Sequence, residues 1–215
     1  MSELSVDLYW SFRSPYSYLA VKQLGPLRRR FAFDIRPRIV LPIAVRDPEH
    51  YAKSLNPAWM RYTLTDAPRL AEMLGLPMAM PNPDPVAIQS DGLPAAEQSL
   101  IRRLSRLGAA ACEMGRGLSF IDEVSSLIWS GAPWTEGDAL TDAAARAGVD
   151  LEALDKRIEA HPDHFDRMID DNQAALNEAG HWGVPTMVFE GEPFFGQDRI
   201  AVLLWRMRQK GLEER

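Results

Sequence analysis

Residues 6–30, VDLYWSFRSPYSYLAVKQLGPLRRR, change period at Ser14-Pro15, and this change constrains the fold more than any other stretch. Val6, Leu8 and Trp10 share one parity, which predicts a half-buried strand. From Pro15 onward, Tyr18, Leu19, Val21, Leu24 and Leu27 fit a helix with one apolar face. Serine followed by proline supplies an N-cap and then a residue whose missing N–H costs nothing at the first helical position. A group approaching Ser14 meets the unpaired N–H groups and positive end of a helix, a setting suited to an anion. Capping alone would also account for Ser-Pro. The two roles are compatible, because one hydroxyl can accept from the amide of Tyr16 or Ser17 while donating to a thiolate or carboxylate.

A length of 215 residues suits one domain, or one domain carrying a large insertion, with a substantial core. The net charge of −6 argues against a nucleic-acid surface, which needs clustered positive charge. Arg28-Arg29-Arg30 is the dense basic run and reads as charge compensating a helix C-terminus. The single cysteine, Cys112, excludes an internal disulfide, a CxxC pair and a cysteine-based zinc site. Its alanine-rich setting predicts a small buried hydrophobe. With no signal-peptide pattern at the N-terminus and no run of membrane-spanning length, the expected location is the cytoplasm, without membrane association.

Further along, residues 31–40 are rich in strand formers and predict a second strand parallel to the first, closing a β-α-β unit. Residues 41–56 read as a loop or short helix. Asn56-Pro57 repeats the cap-and-proline signal and opens a helix to about residue 74, ended by Gly75. LPMAMPNPDPV is too proline-rich for regular structure and is expected to run extended. Helices are predicted over 94–114, 118–129, 140–147, 151–160 and 162–179. Strand character returns at 183–189. Glu190-Gly191-Glu192 predicts a tight turn into an antiparallel strand at 193–195, and a closing helix covers 200–210. Val184-Pro185 is a site where a cis bond would be expected to occur, if anywhere.

This order resembles the thioredoxin fold in its insertion-bearing, DsbA-like form, an α/β fold with a large all-helical insertion. The expected division is a thioredoxin-like domain from residues 1–43 and 181–215, with the insertion domain at 44–180. Relatives with that fold carry CxxC at the first helix start, facing a cis-proline. Here Ser14-Pro15-Tyr16-Ser17 stands in its place, so dithiol exchange is chemically excluded. The segments SFRSPYSYLA, LGLPMAMPNP and GVPTMVFEGEPFFGQDRI, in this order, resemble the 2-hydroxychromene-2-carboxylate isomerases and kappa-class glutathione transferases, which use an SPYS-type motif.

The resemblance implies glutathione as cofactor or co-substrate. It places Ser14 beside the glutathione sulfur, favouring the thiolate, with the backbone of Val184 next to Pro185 pairing with the cysteinyl part. A Ser-Asp pair that holds the γ-glutamyl end in relatives is here Gln197-Asp198, where the carboxylate can bind an ammonium. Relatives also place an asparagine and a lysine before the next long helix. Asn56 matches the first, Trp59 or Met60 falls near the second, and Arg61 is the adjacent cation. The implied activity is isomerisation of an aromatic-catabolism intermediate by reversible thiolate addition, in a homodimer. Conjugation of glutathione to an electrophile, or a non-catalytic binding role, are the alternatives.

No other chemistry has comparable support. His161 and His164 lack further metal ligands, and His50 and His181 are isolated in sequence. There is no GxGxxG or Walker pattern. Trp10, Phe12, Trp59, Met78 and Trp182 read equally as pocket lining or core.

Overall fold

A computed structural model describes residues 4–54 and 56–215. Strand β1 (Leu4–Trp10) runs parallel to β2 (Phe33–Ile39), in register from Leu4 against Phe33 to Trp10 against Ile39, with helix α1 (Pro15–Arg30) between them. Strand β3 (Thr186–Phe189) pairs antiparallel with β1, and β4 (Glu192–Phe195) pairs with β3, giving the order β2-β1-β3-β4. Pro37 is accommodated because β2 is an edge, where a missing donor breaks no ladder. Glu190 and Gly191 join β3 to β4 with φ of 50° and 81°, the left-handed pair that a two-residue hairpin of matching twist requires.

Val6, Leu8 and Trp10 are fully buried, as their parity predicts. The opposite face departs from the half-buried expectation. Tyr9 is only 5% exposed because Val40 and Leu176 cover it, with Val184 packed alongside. Lower on the same face Asp7 remains accessible and pairs with Arg36 and Arg38.

Among the described residues, eight helices lie between β2 and β3. Residues 41–56 hold two of them, α2 (Ile43–Arg46) and α3 (Pro48–Ser54). Next come α4 (Pro57–Met73), α5 (Ser99–Glu113), α6 (Gly117–Ile128), α7 (Ala139–Arg146), α8 (Leu151–Ala160) and α9 (Pro162–Glu178). The expected start of α5 at residue 94 is too early. The Gln98 amide clamps residues 87–95 instead, donating to the carbonyls of Ala87 and Ala95 and accepting from the Ala87 N–H at 3.0 Å. That side chain satisfies an extended segment that helical pairing would otherwise claim.

The proline-rich residues 77–85 run without helix or extended strand, and the carbonyl of Pro77 accepts from the Tyr18 phenol at 2.8 Å. Cys112 packs under Gly117, and burial pushes its thiol up to about 12. Among the described residues no helix is long and apolar enough to cross a membrane. The chain closes with a single 3-10 turn (Gln197–Arg199) and α10 (Ile200–Arg208), whose Leu203, Leu204 and Met207 are buried against the sheet core.

Candidate active site

Two indoles fix the corner between β1 and α1. Trp10 Nε1 donates to the carbonyl of Ser17 at 2.8 Å, and Trp129 Nε1 donates to the carbonyl of Phe12 at 3.2 Å. Trp10 and Phe12 meet edge to face at 4.6 Å and are fully buried, so both are core and not pocket lining. On this base Ser14 takes an extended conformation, and its Oγ accepts from the Ser17 N–H at 3.2 Å, the capping bond expected from the sequence. The hydroxyl hydrogen points across the sheet end to the Val184 carbonyl, at 3.2 Å. Ser17 is fully buried with its hydroxyl unpartnered, so of the two serines in the motif only Ser14 reaches the facing loop.

That loop carries the cis Val184–Pro185 bond. The Pro185 carbonyl accepts from the Gly196 N–H at 2.9 Å, joining the loop to the end of β4. Just upstream, the Gly183 N–H donates to Nδ1 of His181 at 2.8 Å, and the imidazole stacks on Phe195 with centroids 4.0 Å apart. A Cβ on Gly183 would come within 2.5 Å of that Phe195 ring, so only glycine fits there. Burial, assisted by the Arg46 charge, holds the His181 pKa below its ordinary value.

The remaining residues singled out by sequence separate into two groups. Gln197 and Asp198 follow Gly196 directly. Gln197 is buried, and its side-chain carbonyl accepts from Nε2 of Gln23 at 2.7 Å, so this amide braces α1 against the closing segment. Asp198 is exposed and pairs with Arg199 at 2.8 Å. Asn56 and Arg61 lie on α4. Asn56 caps that helix by accepting from the Ala58 N–H at 2.9 Å, and Arg61 is exposed on it. The side chain of Trp59 lies outside the described residues.

Helix α4 nevertheless reaches the site through residues that local sequence signals did not mark. Asp66 accepts from the phenols of Tyr16 and Tyr62, at 3.0 and 3.1 Å. Burial and that carboxylate push Tyr16 up to about 12, which keeps it protonated. The Tyr62 phenol is raised by the same carboxylate and also feels Asp198, which sets α4 opposite the closing turn. Trp182 is 48% exposed beside the loop, and Met78 is partly buried against the main core.

This arrangement offers one hydroxyl donor at a helix start, a backbone carbonyl facing it, and a carboxylate one short turn away. Among the described residues no group of three His, Cys, Asp or Glu side chains is placed to hold a metal.

Comparison with known proteins agrees with the architecture. The chain is 25% identical over 205 residues to a 2-hydroxychromene-2-carboxylate isomerase of Pseudomonas sp. strain C18, covering 92% of this chain and 87% of the relative. It is 24% identical over 205 residues to the enzyme of that name from Pseudomonas putida, covering 92% and 91%. A solved 2-hydroxychromene-2-carboxylate isomerase superimposes with a TM-score of 0.71 at 22% identity, over 96% of this chain and 95% of that one. The model of the DSBA-like thioredoxin domain matches residues 5–208. The chain thus belongs to the DsbA-like thioredoxin family.

Proposed function

We propose that this chain is a glutathione-dependent isomerase of the 2-hydroxychromene-2-carboxylate isomerase type, acting on an aromatic-catabolism intermediate in the cytoplasm as a homodimer. The observation that carries the reading is the Ser14 hydroxyl, suspended between the Ser17 N–H and the Val184 carbonyl where redox relatives have sulfur. With serine at positions 14 and 17, a reactive thiol has to come from outside.

The residues present fit glutathione. Ser14 can transfer its hydroxyl hydrogen from the Val184 carbonyl to a sulfur while keeping its lone pair on the Ser17 N–H. The carbonyl of Val184, relieved of Ser14, is then available to the cysteinyl N–H, beside Pro185. Asp198 is the carboxylate for the γ-glutamyl ammonium, with Gln197 holding the turn in place. The resemblance adds Asn56, at the cap of α4, and Arg61, on that helix, as further contacts. Bound glutathione supplies a nucleophilic thiol able to add reversibly to a conjugated carbonyl compound. Ser14 favours the ionised thiol by donating to it, as positive surroundings do for cysteine. Ser14 is a donor in this scheme and forms no bond to carbon.

A product assay tests the proposal. With an α,β-unsaturated hydroxyaryl keto acid as substrate, isomer should accumulate at constant glutathione concentration. Stoichiometric loss of glutathione would make the chain a transferase, and no heat of binding at millimolar glutathione would leave a non-catalytic binding protein.

A further inference from the structure

Arg46 lies at the end of α2. Among the described residues it makes no salt bridge, and its Nε is buried without a hydrogen-bond partner. The guanidinium donates to the Trp182 carbonyl. The neighbouring Asp47 acts on it through space without a hydrogen bond, and Oδ1 of Asp47 accepts from the His50 N–H at 2.9 Å. Burial lowers the Arg46 pKa to about 10. An unsatisfied buried donor is costly, and a carboxylate is the acceptor whose two oxygens match the guanidinium fork.

A flat aromatic surface lies next to this cation. Trp182 is 48% exposed. His50 approaches it at 4.5 Å, and His181 stacks on it at 5.7 Å with 14° between planes. Phe195 backs His181. Trp182 is two residues from Val184, a span of at most about 7 Å of extended chain. The same loop therefore presents its Trp182 carbonyl to Arg46 and its Val184 carbonyl to Ser14.

We propose that Arg46 and Trp182 form a specificity subsite for a planar conjugated acid, Arg46 receiving the carboxylate and Trp182 the ring. As a statement about the substrate this rests on the isomerase reading; as a binding site it stands apart from it. Trp182 reads in the sequence as pocket lining or core, whereas Arg46 falls in a stretch without period and its orphaned donor exists only in three dimensions.

Calorimetric titration of the full chain with trans-cinnamate and with cinnamamide, which share a skeleton and differ in charge, provides the test. The acid should bind about tenfold tighter than the amide, the scale of one charge-assisted hydrogen bond. Arg46→Gln should erase that preference, and Arg46→Lys should keep part of it, as a point charge without the fork. Trp182→Leu should weaken both probes alike and preserve their ratio. Equal binding of acid and amide by the unaltered chain overturns the subsite, whether or not Arg46→Gln folds, and so does an undiminished preference in folded Arg46→Gln. Repeating the titrations with glutathione separates the two claims. Preference for the acid without glutathione binding sinks the isomerase reading alone, whereas glutathione binding without preference sinks the subsite alone.

Discussion

The β1–α1 corner and the α5–α8–α9 layer both carry polar groups, yet they treat them in opposite ways. In the helical layer a groove of about 600 Å³ is lined by Gln98, Ser99, Arg102, Arg103, Arg106 and Asp155. Two of its arginines are closed in ion pairs. Arg103 grips Asp155 through two bonds of 2.8 and 2.6 Å, and Arg106 grips Asp166 through two of the same lengths. At the corner, the Ser14 hydroxyl rests on a carbonyl that another acceptor can replace, and on nearby α2 the Nε of Arg46 is left unpartnered. Volume alone would point to the groove. Polar groups whose partners can be exchanged point to the corner, because a ligand gains most where it satisfies what the fold leaves open.

The sharpest way to break this contrast is to disarm each region in turn. Ser14→Ala should lower kcat/KM for isomerisation about a hundredfold, the usual loss on removing a preorganised donor. Arg103→Met should leave it within about twofold. Steady-state kinetics at fixed glutathione checks both, and equal losses would erase the distinction. The next effect concerns the corner's support. Trp10→Phe removes the indole bond to the Ser17 carbonyl in a fully buried site and should cost about 3 kcal/mol in denaturant unfolding.

Smaller effects separate the regions by pH. The hydrogen bonds from Arg106 hold the Asp166 pKa below the usual carboxylate value. Its contribution is therefore present above that ordinary value and is lost as pH falls through the depressed one. Asp166→Asn should cost about 1 kcal/mol at neutral pH, since the pair is partly exposed and screened, and nothing in strong acid. His181 acts in a milder range. Its folded pKa lies below the ordinary 6.5, so stability is complete above that value and declines as pH drops beneath it. His181→Phe should flatten this slope in thermal melts, while Asp166→Asn should leave it unchanged.

What was legible in the sequence was local. The parity of β1, the Ser14 cap, the Asn56 cap of α4, the Glu190-Gly191 turn and the closing helix all rest on neighbours within a few positions. The segments SFRSPYSYLA, LGLPMAMPNP and GVPTMVFEGEPFFGQDRI are legible together through their resemblance to one family. What stayed hidden pairs residues far apart in the chain. Gln23 with Gln197, Tyr16 with Asp66 and Arg46 with Trp182 leave no periodic trace. The start of α5 was misplaced because the Gln98 clamp outweighs helix propensity over residues 94–98. The buried second face of Tyr9 was missed because Leu176, which covers it, lies on α9.

The central claim is that Ser14 receives a thiol from outside the chain and favours its ionised form. Ultraviolet titration of thiolate absorbance in a glutathione complex addresses it most directly. The account expects the bound thiol to ionise at a pH below that of free glutathione, by at least about one unit, and expects that displacement to vanish in Ser14→Ala. A bound thiol that titrates like free glutathione, or one whose displacement survives in Ser14→Ala, would contradict it.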